Sequence, residues 1–139
     1  MKKIYISGPM SHLEREEYLA RFAKAEILLS ERGYRVVNPT KFLFCRWPWL
    51  YKLVGYNAAL CYDLWRLSRC EYIYLLPDWK ESRGATVESF FAWKIGVYRL
   101  TEKERKEIDL KLAKWTEKRE GGEVPEPTHV LTPERKRKQ

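Results

Sequence analysis

The chain has 139 residues, of which 45% are hydrophobic and 14% aromatic, enough to bury one sizeable core and too few for two ordinary domains. Charged residues interrupt the longest apolar runs before they reach membrane-spanning length, and Met1-Lys2-Lys3 leads directly into a strand-like segment rather than a leader, which sets the expectation of a soluble, cytoplasmic protein with no membrane contact. The net charge of +8 suits a nucleic-acid backbone and an anionic small ligand equally well.

Lys3 to Ile6 reads as a short strand that ends at Ser7-Gly8-Pro9, where Gly frees the backbone and Pro stops the ladder. From Glu14 to Arg32, apolar residues including Tyr18, Leu19, Phe22, Ala25 and Leu29 recur at helical spacing, and Gly33 supplies a stop. Tyr34-Arg35-Val36-Val37-Asn38-Pro39 is a β-branched run closed by Asn-Pro, a second strand that completes a βαβ unit. Thr40 to Val54 crowds Phe42, Phe44, Trp47, Trp49 and Tyr51 around Pro48 without clean periodicity, so an ordered loop with room for a short helix is expected. Its aromatics suit a core or a subunit interface first, and a stacked nucleobase second.

Tyr56 to Ser68 has helical character, and Glu71 to Pro77 is an apolar run of the length and type of a buried parallel strand. Asp78 to Gly84 is polar and loop-like, Ala85 to Lys94 is helical, and Val97 to Leu100 is a short fourth strand. The alternation predicts an α/β fold, a doubly wound flavodoxin- or Rossmann-like parallel sheet of four to five strands flanked by helices. Past Thr101, Ile108, Leu112 and Trp115 fall on one face of an expected last helix within 101–120. Residues 121–139, with Gly121-Gly122, two prolines and Arg135-Lys136-Arg137-Lys138, have the composition of a charged tail. Cys45, Cys61 and Cys70 are an odd set without paired spacing, best read as buried or idle thiols, and the two histidines offer no metal-ligand pattern.

Parallel sheets place their ligands outside the carboxyl ends of the strands, so the loops after residues 6, 38 and 76 are where function belongs. The first brings Ser7-Gly8-Pro9-Met10 beside Tyr5. The third brings Ser82-Arg83-Gly84-Ala85 to the start of the helix that carries Glu88, and a helix start is an anion site because unpaired N–H groups and the dipole both point outward there.

These segments resemble the nucleoside 2-deoxyribosyltransferase-like superfamily, and within it a small branch frequent in phages and prophages known as the DUF4406 family. The similarity lies in Lys3 to Met10, Val37-Asn38-Pro39, and Tyr72 to Trp79 with Ser82-Arg83-Gly84-Ala85 and Glu88, and spans about residues 1–100, the expected α/β domain. The resemblance implies an N-glycosidase or base (deoxyribosyl) transferase acting on nucleosides or nucleotides. In it Glu88 is the nucleophile at the anomeric carbon, Asp63 the acid that protonates the departing base or holds the sugar, and Tyr5 the orienter of the nucleophile. It also implies that Ser82 binds a 5′-phosphate, that Arg83 adds charge-assisted contacts beside Gly84, and that Gly8, followed by Pro9, lets substrate approach the backbone. No metal or redox cofactor follows from it, and the expected assembly is a homo-oligomer.

Other readings of the same residues stand beside these. Glu88 and Asp63 also fit solvated helix acids, Tyr5 a core aromatic, and Ser82 an N-cap. Glu71 occupies a position where relatives usually carry Asp, so either the longer acid substitutes or the position is structural. A nucleotide-binding module without turnover is the main alternative function. A nucleic-acid-associated protein is the least supported, resting on charge alone.

Overall fold

A computed structural model describes residues 1–10, 13–42 and 47–120. Strand β1 (Lys3–Ser7) is followed by helix α1 (Arg15–Glu31), strand β2 (Arg35–Val37), helix α2 (Pro48–Ser68), strand β3 (Tyr72–Leu75), helix α3 (Arg83–Ile95), strand β4 (Tyr98–Arg99) and helix α4 (Glu102–Glu120), with short 3-10 turns at Pro39–Lys41 and Trp79–Glu81. The four strands form one parallel sheet in the order β2-β1-β3-β4. The chain winds from β1 to one side and then crosses to β3 on the other, so the crevice beyond the carboxyl ends of β1 and β3 is the switch point of the sheet.

Strand alternation sorts the core into two layers. Ile4, Ile6, Tyr74 and Leu76 point to one face and pack with Phe22 and Leu29 of α1 and with Ile108, Leu112 and Trp115 of α4. The charged segment beyond residue 100 therefore contributes a helix that is part of the core, held by the three residues whose spacing singled them out. Tyr5, Ile73 and Leu75 point to the other face, against Leu67 of α2 and Ala92 of α3. Because successive residues of a strand face opposite ways, Tyr5 and Ser7 share this second face, over which α3 runs.

The segment before Tyr56 departs from the expected loop. Pro48 sits in the first turn of α2, where its missing N–H costs nothing, and the helix begins there rather than at Tyr56. Gly55, with φ 89°, breaks the helical path inside it, a backbone conformation that side-chain-bearing residues rarely adopt. The result is an arm, Pro48 to Val54, joined at Gly55 to the helix that sequence periodicity identifies. Phe42 is buried, Trp47 and Trp49 are exposed and stacked on each other with ring centroids 6.4 Å apart, and Phe44 and Cys45 lie outside the described residues, as does the 121–139 tail.

The loops at the switch point are held by specific contacts. Arg21 of α1 makes a bidentate ion pair with Asp78, at 2.7 and 3.0 Å, that ties the segment after β3 to α1. Asn38 accepts from both the N–H and the hydroxyl of Thr40 and donates to Glu26, which fixes the turn after β2. Gly8 is required by Leu76: a Cβ at Gly8 would lie 2.3 Å from the Leu76 Cδ1, a side chain that is fully buried. Gly8→Ala is expected to lower stability by about 1–3 kcal/mol through overpacking, measured as a fall in the denaturant midpoint. A midpoint at the wild-type value would show that Leu76 moves aside freely.

Candidate active site

A cavity of about 460 Å³ opens at the carboxyl ends of β1 and β3. Its wall is drawn from separate segments: Gly8 and Met10 after β1, Phe42 after β2, Asp63 from α2, and Ser82 and Glu88 from the start of α3. The first turn of an α-helix leaves its N–H groups without intrahelical carbonyls. Ser82 is the N-cap, its hydroxyl oxygen accepting from the Ala85 N–H at 3.2 Å. That cap leaves the hydroxyl hydrogen of Ser82 available as a donor.

Glu88 is 6% exposed, an uncommon position for a carboxylate unless it is hydrogen-bonded. Both of its oxygens are engaged: the Tyr5 hydroxyl donates to Oε2 at 2.7 Å and the Ser7 hydroxyl donates to Oε1 at 2.6 Å. Burial raises its pKa to about 7, against the lowering effect of the Ser7 and Tyr5 hydrogen bonds. Asp63 is pushed further, to about 8, by burial and by the charge of Glu88, with Arg66 opposing. Two carboxyl groups facing one cavity thus titrate above the ordinary carboxylate range, and the higher of the two belongs to Asp63. The Tyr5 hydroxyl is held well above its usual range by burial and by Glu88, which keeps it a proton donor.

The sequence-identified residues do not all arrive at the cavity. Glu88, Asp63, Ser82, Gly84 and Gly8 line it, and Tyr5 reaches it through Glu88. Pro9 is fully buried and is not among the lining residues, and Arg83, at the first position of α3, is exposed and not among them either. The cations on the wall are Arg15 and Lys52, one at the start of α1 and one on the arm before Gly55. Glu71 lies at the opposite end of the sheet, where its carboxylate accepts from the Lys3 N–H at 2.9 Å; its position is structural.

Ser7 is the residue that sequence reasoning passed over, although it was quoted within the first loop. The signal for it is strand parity: a residue two positions from Tyr5 must share Tyr5's face, and any carboxylate that Tyr5 touches is within Ser7's reach. Ser7→Ala removes a donor that favours the charged form of Glu88. The expected result is a Glu88 pKa above about 7, by on the order of one unit, in a carbon-detected NMR titration; an unmoved titration would remove Ser7 from this role.

Arrangements of this kind supply a nucleophile or base together with an acid, since two carboxyl groups held at different pKa values divide into one ionised and one protonated partner near neutrality. The residues around them are aromatic or apolar more often than polar: Tyr18, Phe42, Tyr51 and Tyr56 all line the cavity, and their rings match a flat heterocycle.

Comparison with known proteins gives one match. The model of a family described as a domain of unknown function, DUF4406, covers residues 2–100. Neither the curated proteins nor the solved structures contain a match to the chain.

Proposed function

The chain belongs to the DUF4406 family, and on that premise we propose that it is an N-glycosidase or base transferase of nucleosides or nucleotides, of the nucleoside 2-deoxyribosyltransferase-like type. The observation that carries this reading is Glu88: a buried carboxylate at a cavity wall, gripped on both oxygens by hydroxyl donors from β1. A surface helix acid needs neither the burial nor the grip. A nucleophile benefits from both, because its orientation is set before substrate arrives.

In the proposed reaction a Glu88 oxygen attacks C1′ of the bound sugar while the bond from C1′ to the base nitrogen breaks. The electron pair of that bond leaves with the base, which takes a proton from Asp63. The product of this step is a glycosyl ester on Glu88. A water oxygen, giving hydrolysis, or a nitrogen of an incoming base, giving transfer, then bonds to C1′ as the bond from C1′ to Glu88 breaks and its electron pair returns to the Glu88 carboxylate, while the Asp63 carboxylate accepts the proton of the attacking group. Asp63 is suited to the acid role because, with a pKa of about 8, it keeps its proton at a pH where Glu88, at about 7, begins to lose its own.

The α3 start and the wall cations Arg15 and Lys52 favour an anionic group on the substrate, consistent with a 5′-phosphate near Ser82. The test is incubation of the purified protein with nucleosides and with nucleoside monophosphates, followed by chromatography for free base. Release of base supports the proposal. Saturable binding without release identifies a nucleotide-binding module instead.

The two pKa values also define a pH profile. Activity requires Glu88 ionised and Asp63 protonated, so the rate is expected to rise through about pH 7 and fall through about pH 8, a narrow optimum set by the pair as a unit. A rate that is flat from mildly acidic to alkaline pH would separate the two carboxyls from the chemistry.

A further inference from the structure

The two helical layers of the molecule carry their charge in different ways. On α1 and α4 acids and bases occur in equal number, and on α4 Asp109 pairs with Arg105, Glu102 with Lys106, and Glu107 with Arg32 just past the end of α1. On α2 and α3 the acids are Asp63 and Glu88 alone, and both face the cavity. On α3 this leaves Arg83 and Lys94 exposed with no acid on the outward face, while on α2 Lys52 lines the cavity and Arg66 lies over the Phe42 ring, so the exposed cation at that end is Arg69, which caps α2.

Those faces are also aromatic. Trp65 is 55% exposed, Phe90 61% and Trp93 70%, an unusual display for side chains of this size on a monomer. Each is accompanied by a cation: the Lys94 Nζ lies 5.2 Å from the Trp93 ring centre and 5.9 Å from that of Phe90, and the Arg69 guanidinium lies 5.7 Å from Trp65.

We propose that the outward face of α2 and α3 is a platform for single-stranded nucleic acid, with bases stacking on Trp93, Phe90 and Trp65 and phosphates paired with Lys94 and Arg69. A single strand alternates a planar base with an anionic phosphate, and a ring with a cation beside it presents the complement of both. The same observations speak against a second copy of the chain as the occupant. A symmetric interface places a patch against itself, which here would bring cations together with no acid on either helix to pair them. The platform is separate from the cavity chemistry and does not rest on the glycosidase reading.

The test is fluorescence anisotropy of a labelled oligothymidylate of about 20 nucleotides with the full-length protein, at low and at physiological salt. Saturable binding that weakens with salt is expected, together with quenching of tryptophan emission. Trp93→Ala and Lys94→Glu are each expected to weaken binding about tenfold or more, while Lys114→Glu on α4, the same change of net charge on the balanced layer, leaves it within about twofold. Circular dichroism establishes that each variant is folded. The proposal is overturned by any of three results: equal weakening by Lys94→Glu and Lys114→Glu, which assigns binding to net charge; binding unchanged in Trp93→Ala and Lys94→Glu, which assigns it to another segment such as the basic 135–138 run; or no oligonucleotide binding with capture by phosphatidylserine vesicles or self-association that Trp93→Ala abolishes.

Discussion

Glu88→Gln is expected to reduce release of free base by about a thousandfold or more while the protein remains folded. The amide has nearly the shape of the carboxylate it replaces, and the hydroxyls of Tyr5 and Ser7, which donate to the two Glu88 oxygens at 2.7 and 2.6 Å, can turn to donate to the amide oxygen and accept from the amide nitrogen. The site therefore keeps its packing and loses only the group that forms the ester. Chromatography of base released from a nucleoside monophosphate gives the rate, and thermal unfolding gives the control. Wild-type release by Glu88→Gln would remove Glu88 as nucleophile even if the protein proved to be a glycosidase. Tyr5→Phe is expected to have a smaller effect, since Ser7 still holds one oxygen.

The second large effect is on stability. Glu88 is raised from 4.5 to about 7 and Asp63 from 3.8 to about 8, in both cases chiefly by burial. A carboxyl whose folded pKa lies above its unfolded one binds more protons when folded, so its contribution is fully present below the unfolded pKa and is lost as pH rises through the folded pKa. Stability is thus expected to fall between about pH 4 and about pH 9, with most of the loss between about pH 5 and pH 8, by on the order of 3 kcal/mol or more. Glu88→Gln and Asp63→Asn each remove one titrating group, and each is expected to flatten the curve and to be more stable than wild type at alkaline pH. Denaturant unfolding across this range is the measurement. A curve that rises toward alkaline pH, or variants that track wild type, would show that the two carboxyls ionise freely in the folded protein.

These two expectations share a cause. The pocket charges stability at neutral and alkaline pH for a carboxylate it keeps away from water, as sites built for reaction commonly do. The opposite layer shows the contrast: Glu102, Glu104, Glu107 and Asp109 of α4 are exposed or partly exposed and paired with cations, and for Glu102 and Glu107, where a shift is resolved, it is downward, caused first by the hydrogen bonds to Lys106 and Arg32.

Much of this was legible in the amino-acid sequence, because it depends on short-range rules. The short strand closed by Ser7-Gly8-Pro9, the continuous apolar run through Tyr72 to Leu76, helical spacing from Tyr18 to Leu29, and the Ile108, Leu112, Trp115 stripe are each local signals, and together they lead to a parallel α/β sheet followed by a last helix, which packs as α4. The rule that ligands sit beyond the strand ends then selects the loops that do meet at the cavity. The arm from Pro48 to Val54 was not legible, since a helix interrupted at Gly55 and exposed along most of its length carries no periodic apolar signal.

Other features exist only once the chain is folded. The meeting of Ser7 with Glu88 joins residues 81 apart in sequence and depends on α3 crossing the face of β1 that strand parity assigns to Tyr5 and Ser7. The arrival of Arg15 and Lys52 at the cavity in place of Arg83 is a matter of which way helix starts point. The net charge of +8 is a property of composition, but the lack of an acid on the outward faces of α2 and α3 follows from tertiary structure, which turns the acids of those helices, Asp63 and Glu88, inward. Local periodicity determined what the elements are; the packing of α2 and α3 over one face of the sheet decided which carboxylates would be buried and which cations would be left facing out.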